Sequence, residues 1–253
     1  KSCNINILEK SAYLKKIQKK KLKNYNINWL NDLSYLSNLP SIFIANEFFD
    51  ALPIKQLVKK KDKWYEKNIK YSKSHKPKFL DKLINIKKFE RKIGFKISHK
   101  QKFIEYSPLS IEYLKFISKI IKHKSGGLLI IDYGYNDEKM KNTLKCISKH
   151  KLSNVLENFG KSDISYDINF KLIEKIVTKL GLKVNGITSQ KKFLQDLGIL
   201  ERAEIISKNL PFSEKANIYY RIKKLIDENA MGKLFKVMFI SKKNIKFKMG
   251  FKN

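Results

Sequence analysis

Ser41-Ile42-Phe43-Ile44-Ala45-Asn46-Glu47-Phe48-Phe49-Asp50-Ala51-Leu52-Pro53-Ile54 is an apolar run of strand character that ends abruptly in an amide and two carboxylates. Open α/β sheets bind their ligands just outside the carboxyl ends of parallel strands, and a strand over these residues delivers Asn46, Glu47 and Asp50 to such a rim. The same residues also suit a helix start, with Asn46 as N-cap and Glu47 and Asp50 favoured in the first turn by the helix dipole. A residue can cap a helix and still face a pocket.

Working outward, Asn4 to Leu8 reads as a short strand closed by Glu9, then Ser11 opens a helical pattern through Leu14, Ile17 and Leu22. Ile27 to Trp29 is a further short strand, followed by Asn31-Asp32-Leu33 as a turn or cap. On the other side, Ile54 to Val58 and Trp64 to Ile69 form a hairpin across the Lys-rich turn Lys59 to Lys63. Trp64, Tyr65 and Tyr71 line a groove there or pack on the domain. Residues 72–104 are basic and poorly patterned, and read as an insertion of variable structure. Ser107 as N-cap with Pro108 at the first helical position begins a helix through Leu114, Ile117, Ile120 and Ile121, which Gly126-Gly127 stops. Leu128 to Ile131 is a continuous apolar run, as in a strand buried on both faces, with Asp132 at its carboxyl end and Tyr133 and Tyr135 as candidate pocket walls. Residues 136–166 read as a lid-like excursion. Phe170 to Leu180 is an amphipathic helix stopped by Gly181, Lys183 to Thr188 a strand, 190–209 and 213–228 helical, and Leu234 to Ile240 a last strand. The chain thus divides into 1–71, 72–104 and 105–253, an α/β pattern with an insertion.

The 253 residues carry a net charge of +32, which invites a nucleic-acid or anionic-membrane reading. The bases are nearly all lysine, and Arg91, Arg202 and Arg221 are the only arginines, where bidentate grip on phosphates or base edges favours arginine. Lys, Asn and Ile are enriched together along the whole chain, which looks like the coding bias of an AT-rich genome and not a nucleic-acid site. Cys3 and Cys146 form neither a disulfide framework nor a metal-ligand spacing, and His75 and His99 have no partner at ligand spacing, so no metal is expected. His150 carries no assigned role. No apolar run approaches the ~18 residues of a membrane span. The first residues include no initiator Met and no signal-peptide pattern, so the sequence reads as part of a longer protein.

The words Asn46-Glu47-Phe48-Phe49-Asp50-Ala51-Leu52-Pro53 resemble a signature of the MidA-like methyltransferases, the family of a mitochondrial arginine methyltransferase that assists assembly of respiratory complex I. The resemblance continues in the family's order through Glu105-Tyr106-Ser107-Pro108, Gly127 to Tyr135, Asp163-Ile164-Ser165, Gln190 with Phe193-Leu194, Leu197-Gly198-Ile199 and Met231 to Val237. It implies a doubly wound, Rossmann-like methyltransferase sheet that uses S-adenosyl-L-methionine. The sequence departs from the family twice. No counterpart of the first strand and its glycine-rich turn is present, and Asn169 stands where the family pattern leads to an acid.

By that resemblance Glu9 accepts hydrogen bonds from the cofactor ribose, while Asp32 receives the adenine amine and Leu33 packs on the ring. Glu47 and Asp50 hold a substrate guanidinium, and Asn46 places its carbonyl beside the target nitrogen or the cofactor amine, similar to the Asn/Asp-Pro-Pro motif of other nitrogen methyltransferases. Asp132 and Tyr133 wall the substrate pocket. The implied partner is a core subunit of complex I, in the mitochondrial matrix of a eukaryote or the cytoplasm of a bacterium. A non-catalytic assembly chaperone and a basic nucleic-acid binder are the alternative classes.

Overall fold

The computed structural model describes residues 3–36, 39–72, 74–148, 151–157 and 160–251. His150 lies outside them. Two compact units divide at Leu39 and Pro40, so the boundary falls just ahead of the strand quoted above.

The first unit is a β-α-β piece: β1 (Ile5–Leu8), α1 (Ala12–Lys21) and β2 (Ile27–Leu30), then one 3-10 turn over Leu33–Tyr35. Ser11 caps α1 by accepting from the Leu14 amide at 3.2 Å. β1 and β2 are parallel, with Leu8 opposite Leu30, so Glu9 and Asn31 leave neighbouring strand ends.

The second unit opens with β3 (Ser41–Asn46), β4 (Lys55–Lys60), β5 (Lys63–Ser72), β6 (His75–Ile84), α2 (Ile86–Ile93), β7 (Phe103–Tyr106), α3 (Pro108–Lys124) and β8 (Gly126–Tyr135). It continues through β9 (Lys145–Ser148), β10 (Lys151–Leu152), β11 (Asp163–Ser165), β12 (Ile168–Asn169), α4 (Phe170–Lys179), β13 (Lys183–Ser189), α5 (Gln190–Asp196), α6 (Ile199–Ser207), α7 (Phe212–Ile226), α8 (Met231–Leu234) and β14 (Phe235–Ser241). β8 is the hub of the main sheet. It runs parallel to β3 and β12 and antiparallel to β14, whose far edge takes antiparallel β13. This is the expected α/β sheet, with β14 alone running against the other strands. Gly126 begins β8 because a Cβ there would lie 1.9 Å from the Ser41 carbonyl oxygen, at φ +111.

The core follows from sequence period. α3 buries Ile111, Leu114, Ile117 and Ile121, one stripe of a 3.6-residue repeat, and packs on β3, β8 and α4. β14 is buried on both faces, with Phe235, Val237, Met238 and Ile240 fully excluded from water. Each such side chain contributes roughly 1.5 to 3 kcal/mol. β3 is different: Ala45 is buried, but Ile42 and Ile44 on its other face are 74% and 70% exposed.

Two stretches that looked irregular are ordered by pairing. Residues 72–104 contain β6 and α2, and β6 pairs with β5 along its length in a second sheet, β6-β5-β4-β7. Pro77 and the adjacent Phe79 and Leu80 hide the period of two, and an edge strand tolerates both. The 136–166 excursion carries a three-stranded sheet, β10-β9-β11. Asn169, where the family pattern led to an acid, caps α4 by accepting from the Leu172 amide at 2.8 Å.

Candidate active site

The site in the second unit lies where one edge of β8 changes neighbours. β3 accompanies β8 as far as Asn46 opposite Ile131, and β12 joins only at Gly134, so Asp132 and Tyr133 have no strand beside them on that edge. Two strands that separate along a shared edge leave a crevice, and the chain leaving β3 fills it.

No helix starts at Asn46. The Glu47 amide donates to the Ile131 carbonyl at 3.0 Å, and Glu47 then adopts φ +46, in the left-handed region that costs a non-glycine residue about 1 to 2 kcal/mol. The next three amides, of Phe48, Phe49 and Asp50, converge on Oδ2 of Asp132 at 3.2, 3.0 and 3.4 Å. Oδ1 of Asp132 accepts from the Tyr133 amide at 2.9 Å. The loop is wound around a carboxylate, and Asp132 is fully buried instead of lining a pocket wall. Packing holds the loop from the other side. Phe49 is wholly excluded from water, and Phe48 meets Phe49 and Tyr113 of α3 edge-on at 5.2 and 5.1 Å.

Asn46 and Glu47 are exposed, and Asp50 is 8% exposed. Burial first, and then the Glu47 charge, push the Asp50 carboxyl up, and its side chain makes a hydrogen bond with Asp132. Burial and the charge of Asp50 push Asp132 up to about 7 against the hydrogen bonds from the loop amides. A contact between two carboxyl groups requires a proton between them, so Asp50 and Asp132 hold one proton as a pair. Oδ1 of Asp50 is buried and finds no hydrogen-bond donor among the described residues. Such an oxygen calls for a donor from outside the chain.

Tyr133 is half-buried against Phe235, ring centroids 4.0 Å apart, and burial followed by the charges of Glu47, Asp50 and Asp132 raises its phenol. Two neighbours had no role from sequence. Asp163 of β11 adds to the negative field at Asp50, so the excursion brings a further acid to the site. Tyr166 is buried, and burial holds its phenol far up, near the charges of Asp132, Glu105 and Asp50. Their only signal was the motif Asp163-Ile164-Ser165. Glu105, a carboxylate inside an apolar strand, is 4% exposed and accepts from Gln56 at 2.6 Å and from the Thr143 amide at 3.1 Å, tying the excursion to β4 and β7.

The first unit brings together the other expected residues. Glu9 uses one carboxylate oxygen on the Ser11 amide at 2.8 Å and the other on Gln18 at 2.9 Å, and Gln18 in turn accepts from the Trp29 indole at 3.1 Å. Asp32 caps the 3-10 turn through the Ser34 amide at 2.8 Å, which holds its carboxyl below the ordinary range. Leu33 is half-buried beside it. Two carboxylates at adjacent parallel strand ends fit the hydroxyls and amine of a nucleoside, since the Gln18 contact is an exchangeable side-chain bond. Among the described residues no His, Cys, Asp and Glu cluster could hold a metal, both cysteines are free, and no helix is long and apolar enough to cross a membrane.

Residues 1–188 match the family model described as "Putative S-adenosyl-L-methionine-dependent methyltransferase". The chain is 28% identical over 213 residues to the mitochondrial protein arginine methyltransferase NDUFAF7 of Xenopus laevis, covering 82% of this chain and 47% of that protein. It is 30% identical over 179 residues to the Caenorhabditis elegans homologue, covering 70% and 42%. The chain therefore spans about half the length of these curated relatives. A Burkholderia thailandensis protein solved with S-adenosyl-homocysteine bound has the same fold, with a TM-score of 0.75 at 22% identity over 99% of this chain and 65% of that one. With nearly three quarters of its length matching the family model, the chain belongs to that family of S-adenosyl-L-methionine-dependent methyltransferases.

Proposed function

We propose that the complete protein transfers a methyl group from S-adenosyl-L-methionine to an arginine of a protein, a core subunit of respiratory complex I, and so supports assembly of that complex. The observation that carries the reading is the acidic crevice on a chain of net charge +32: Glu47 and Asp50 in one loop beside Asp132 of β8, with a buried Asp50 oxygen that lacks a donor among the described residues. A guanidinium supplies up to five N–H donors in a planar fork and keeps its charge at neutral pH. Its lone pairs are delocalised, so the protein's task is to hold one terminal nitrogen in line with the methyl group. Asp50 offers its unpartnered oxygen to one edge of the fork, and Glu47 offers an exposed carboxylate to the other. Asn46 sets its amide at the same rim. S-adenosyl-L-methionine supplies an electrophilic methyl on a sulfonium, and Glu9, Asp32 and Leu33 are the residues here that would hold its adenosine.

The relatives' names support the arginine substrate and the mitochondrial setting, and in a bacterial host the location would be the cytoplasm. The open apolar face of β3, with Ile42 and Ile44, supports a further part of the complete protein covering it, in keeping with parallel strands being buried on both faces. In the complete protein, Glu47→Gln removes most methyl transfer to an arginine peptide while the dissociation constant for S-adenosyl-L-methionine stays unchanged. Turnover at the wild-type rate would remove Glu47 from the site.

A further inference from the structure

Asp132 is wholly buried, so no substrate or cofactor reaches it, yet its carboxylate is the most heavily engaged in the loop. Oδ2 takes the three consecutive amides of Phe48, Phe49 and Asp50, and Oδ1 takes the amide of Tyr133. Both oxygens accept. An asparagine in this place would turn an NH2 group against backbone N–H donors, whichever way its amide were set, and so could not reproduce the arrangement. A glutamate would carry its oxygens one carbon too far into a core that already excludes Phe49 and Phe235 from water. The loop residue that gains most from this anchor is the one before it. Glu47 is held on its amino side by the Ile131 carbonyl, 3.0 Å away, and on its other side by the amides seated on Asp132. Its φ of +46 is one that a free loop would relax.

We propose that Asp132 is a positioning residue for the substrate site: its carboxylate, seated in the loop amides, holds Glu47 in its left-handed backbone and so aims the Glu47 carboxylate at the guanidinium. This rests on the reading of Glu47 as a partner of the substrate arginine. Asp50 belongs to the same assembly, because its own amide and its side chain both meet Asp132. Displacing the anchor therefore releases both substrate-facing carboxylates at once, whereas loss of Glu47 alone leaves the loop in place.

The test compares Asp132→Asn and Glu47→Gln in the complete protein by amide hydrogen exchange, and by transfer from labelled S-adenosyl-L-methionine to N-acetylarginine amide. In Asp132→Asn the amides of Phe48, Phe49 and Asp50 exchange at least ~10-fold faster while those of Leu128 to Ile131 keep their wild-type rates. Its kcat falls about 100-fold, the scale of a small misplacement of reacting groups, with the affinity for S-adenosyl-homocysteine unchanged. Glu47→Gln loses transfer with the three amides as protected as in wild type. Wild-type protection of the three amides in Asp132→Asn overturns the proposal, and so does lost protection with wild-type kcat, which would make Asp132 a structural anchor only. Full activity of Glu47→Gln overturns the reading of Glu47 instead, and the exchange data separate the two failures. Should Asp132→Asn fail to fold, the wild-type protein decides: the amides of Phe48, Phe49 and Asp50 exchange as slowly as those of Leu128 to Ile131, and exchange at the rate of an open loop overturns the proposal.

Discussion

The most consequential side chains here are carboxylates whose surroundings differ. Glu9 is spent on a local amide and a glutamine, Glu105 on a buried network, Glu47 faces water, and Asp50 and Asp132 share a dry crevice. Removing Glu9 by Glu9→Ala in the complete protein should weaken S-adenosyl-L-methionine by roughly 1.5 to 3 kcal/mol, the scale of hydrogen bonds to a charged acceptor. An unchanged dissociation constant in calorimetric titration would reduce Glu9 to a helix-start residue. The Asp50 and Asp132 pair makes a prediction about pH. Both carboxyls are raised by burial and by negative neighbours, Asp132 to about 7, whereas an unfolded aspartate titrates near ~3.9. Between those values the native state holds a proton that the unfolded chain has lost. The stability tied to this proton is complete below the unfolded value and disappears as pH rises through the folded one, with a slope of up to about 1.4 kcal/mol per pH unit. Asp50→Asn mimics the protonated carboxyl by donating to Asp132. It should match wild type in urea unfolding near pH 5 and exceed it near pH 8. Parallel stability curves across that range would show that no proton is shared.

At the scale of elements, close approach and capping decide where strands and helices stop. Gly126 lets β3 lie beside β8, since any side chain would meet the Ser41 carbonyl. Gly126→Val should therefore separate β3 from β8 and lower the melting temperature by several degrees, with the largest loss of amide protection in Ile42 to Asn46 and a smaller one in β14. Asn169 shows how an element can absorb a substitution. The residue departs from the family pattern, yet its side chain accepts from the Leu172 amide and donates to the Asp137 carbonyl at 3.1 Å, so it caps α4 and holds the start of the excursion. Asn169→Ala should cost about 1 kcal/mol, the usual worth of an N-cap, in chemical denaturation. A neutral result would mean that α4 is fixed by Phe170, Ile173 and Val177 alone.

For the molecule as a whole, the main sheet presents an apolar face of β3 to water, whereas β14, flanked by β8 and β13, is buried at every residue but Lys236. Burying Ile42 and Ile44 would add roughly 3 to 6 kcal/mol, so a longer protein that covers them should be markedly more stable than these 253 residues. The same comparison bears on the cofactor. The 253-residue chain is expected to bind S-adenosyl-L-methionine far more weakly than an amino-terminally extended version, because a glycine-rich turn and a helix amino terminus normally hold the methionine end. Micromolar binding by the 253-residue chain would show that Glu9, Asp32 and Leu33 suffice.

What the amino-acid order determined was periodic and local. The alternation and continuity of apolar residues marked β3, α3, α4, β13 and β14 within a residue or two and the middle of β8, whose ends run further, and the caps Ser11 and Ser107 were legible because each acts three residues away. The acidic word after β3 marks the carboxyl end of that strand in the amino-acid order itself. Only the tertiary structure decided what that word does. Asn46 with two early acids can start a helix, and does not, because Asp132, more than eighty residues further on, takes the very amides that a first turn would leave free. β6 is likewise a strand by virtue of its partner β5, since Pro77 and paired apolar residues spoil its own period. The gathering of Asp50, Asp132, Asp163 and Tyr166 rests on the same cause: burial and charge at one point are set by residues far apart in the chain, and no local pattern records their distance.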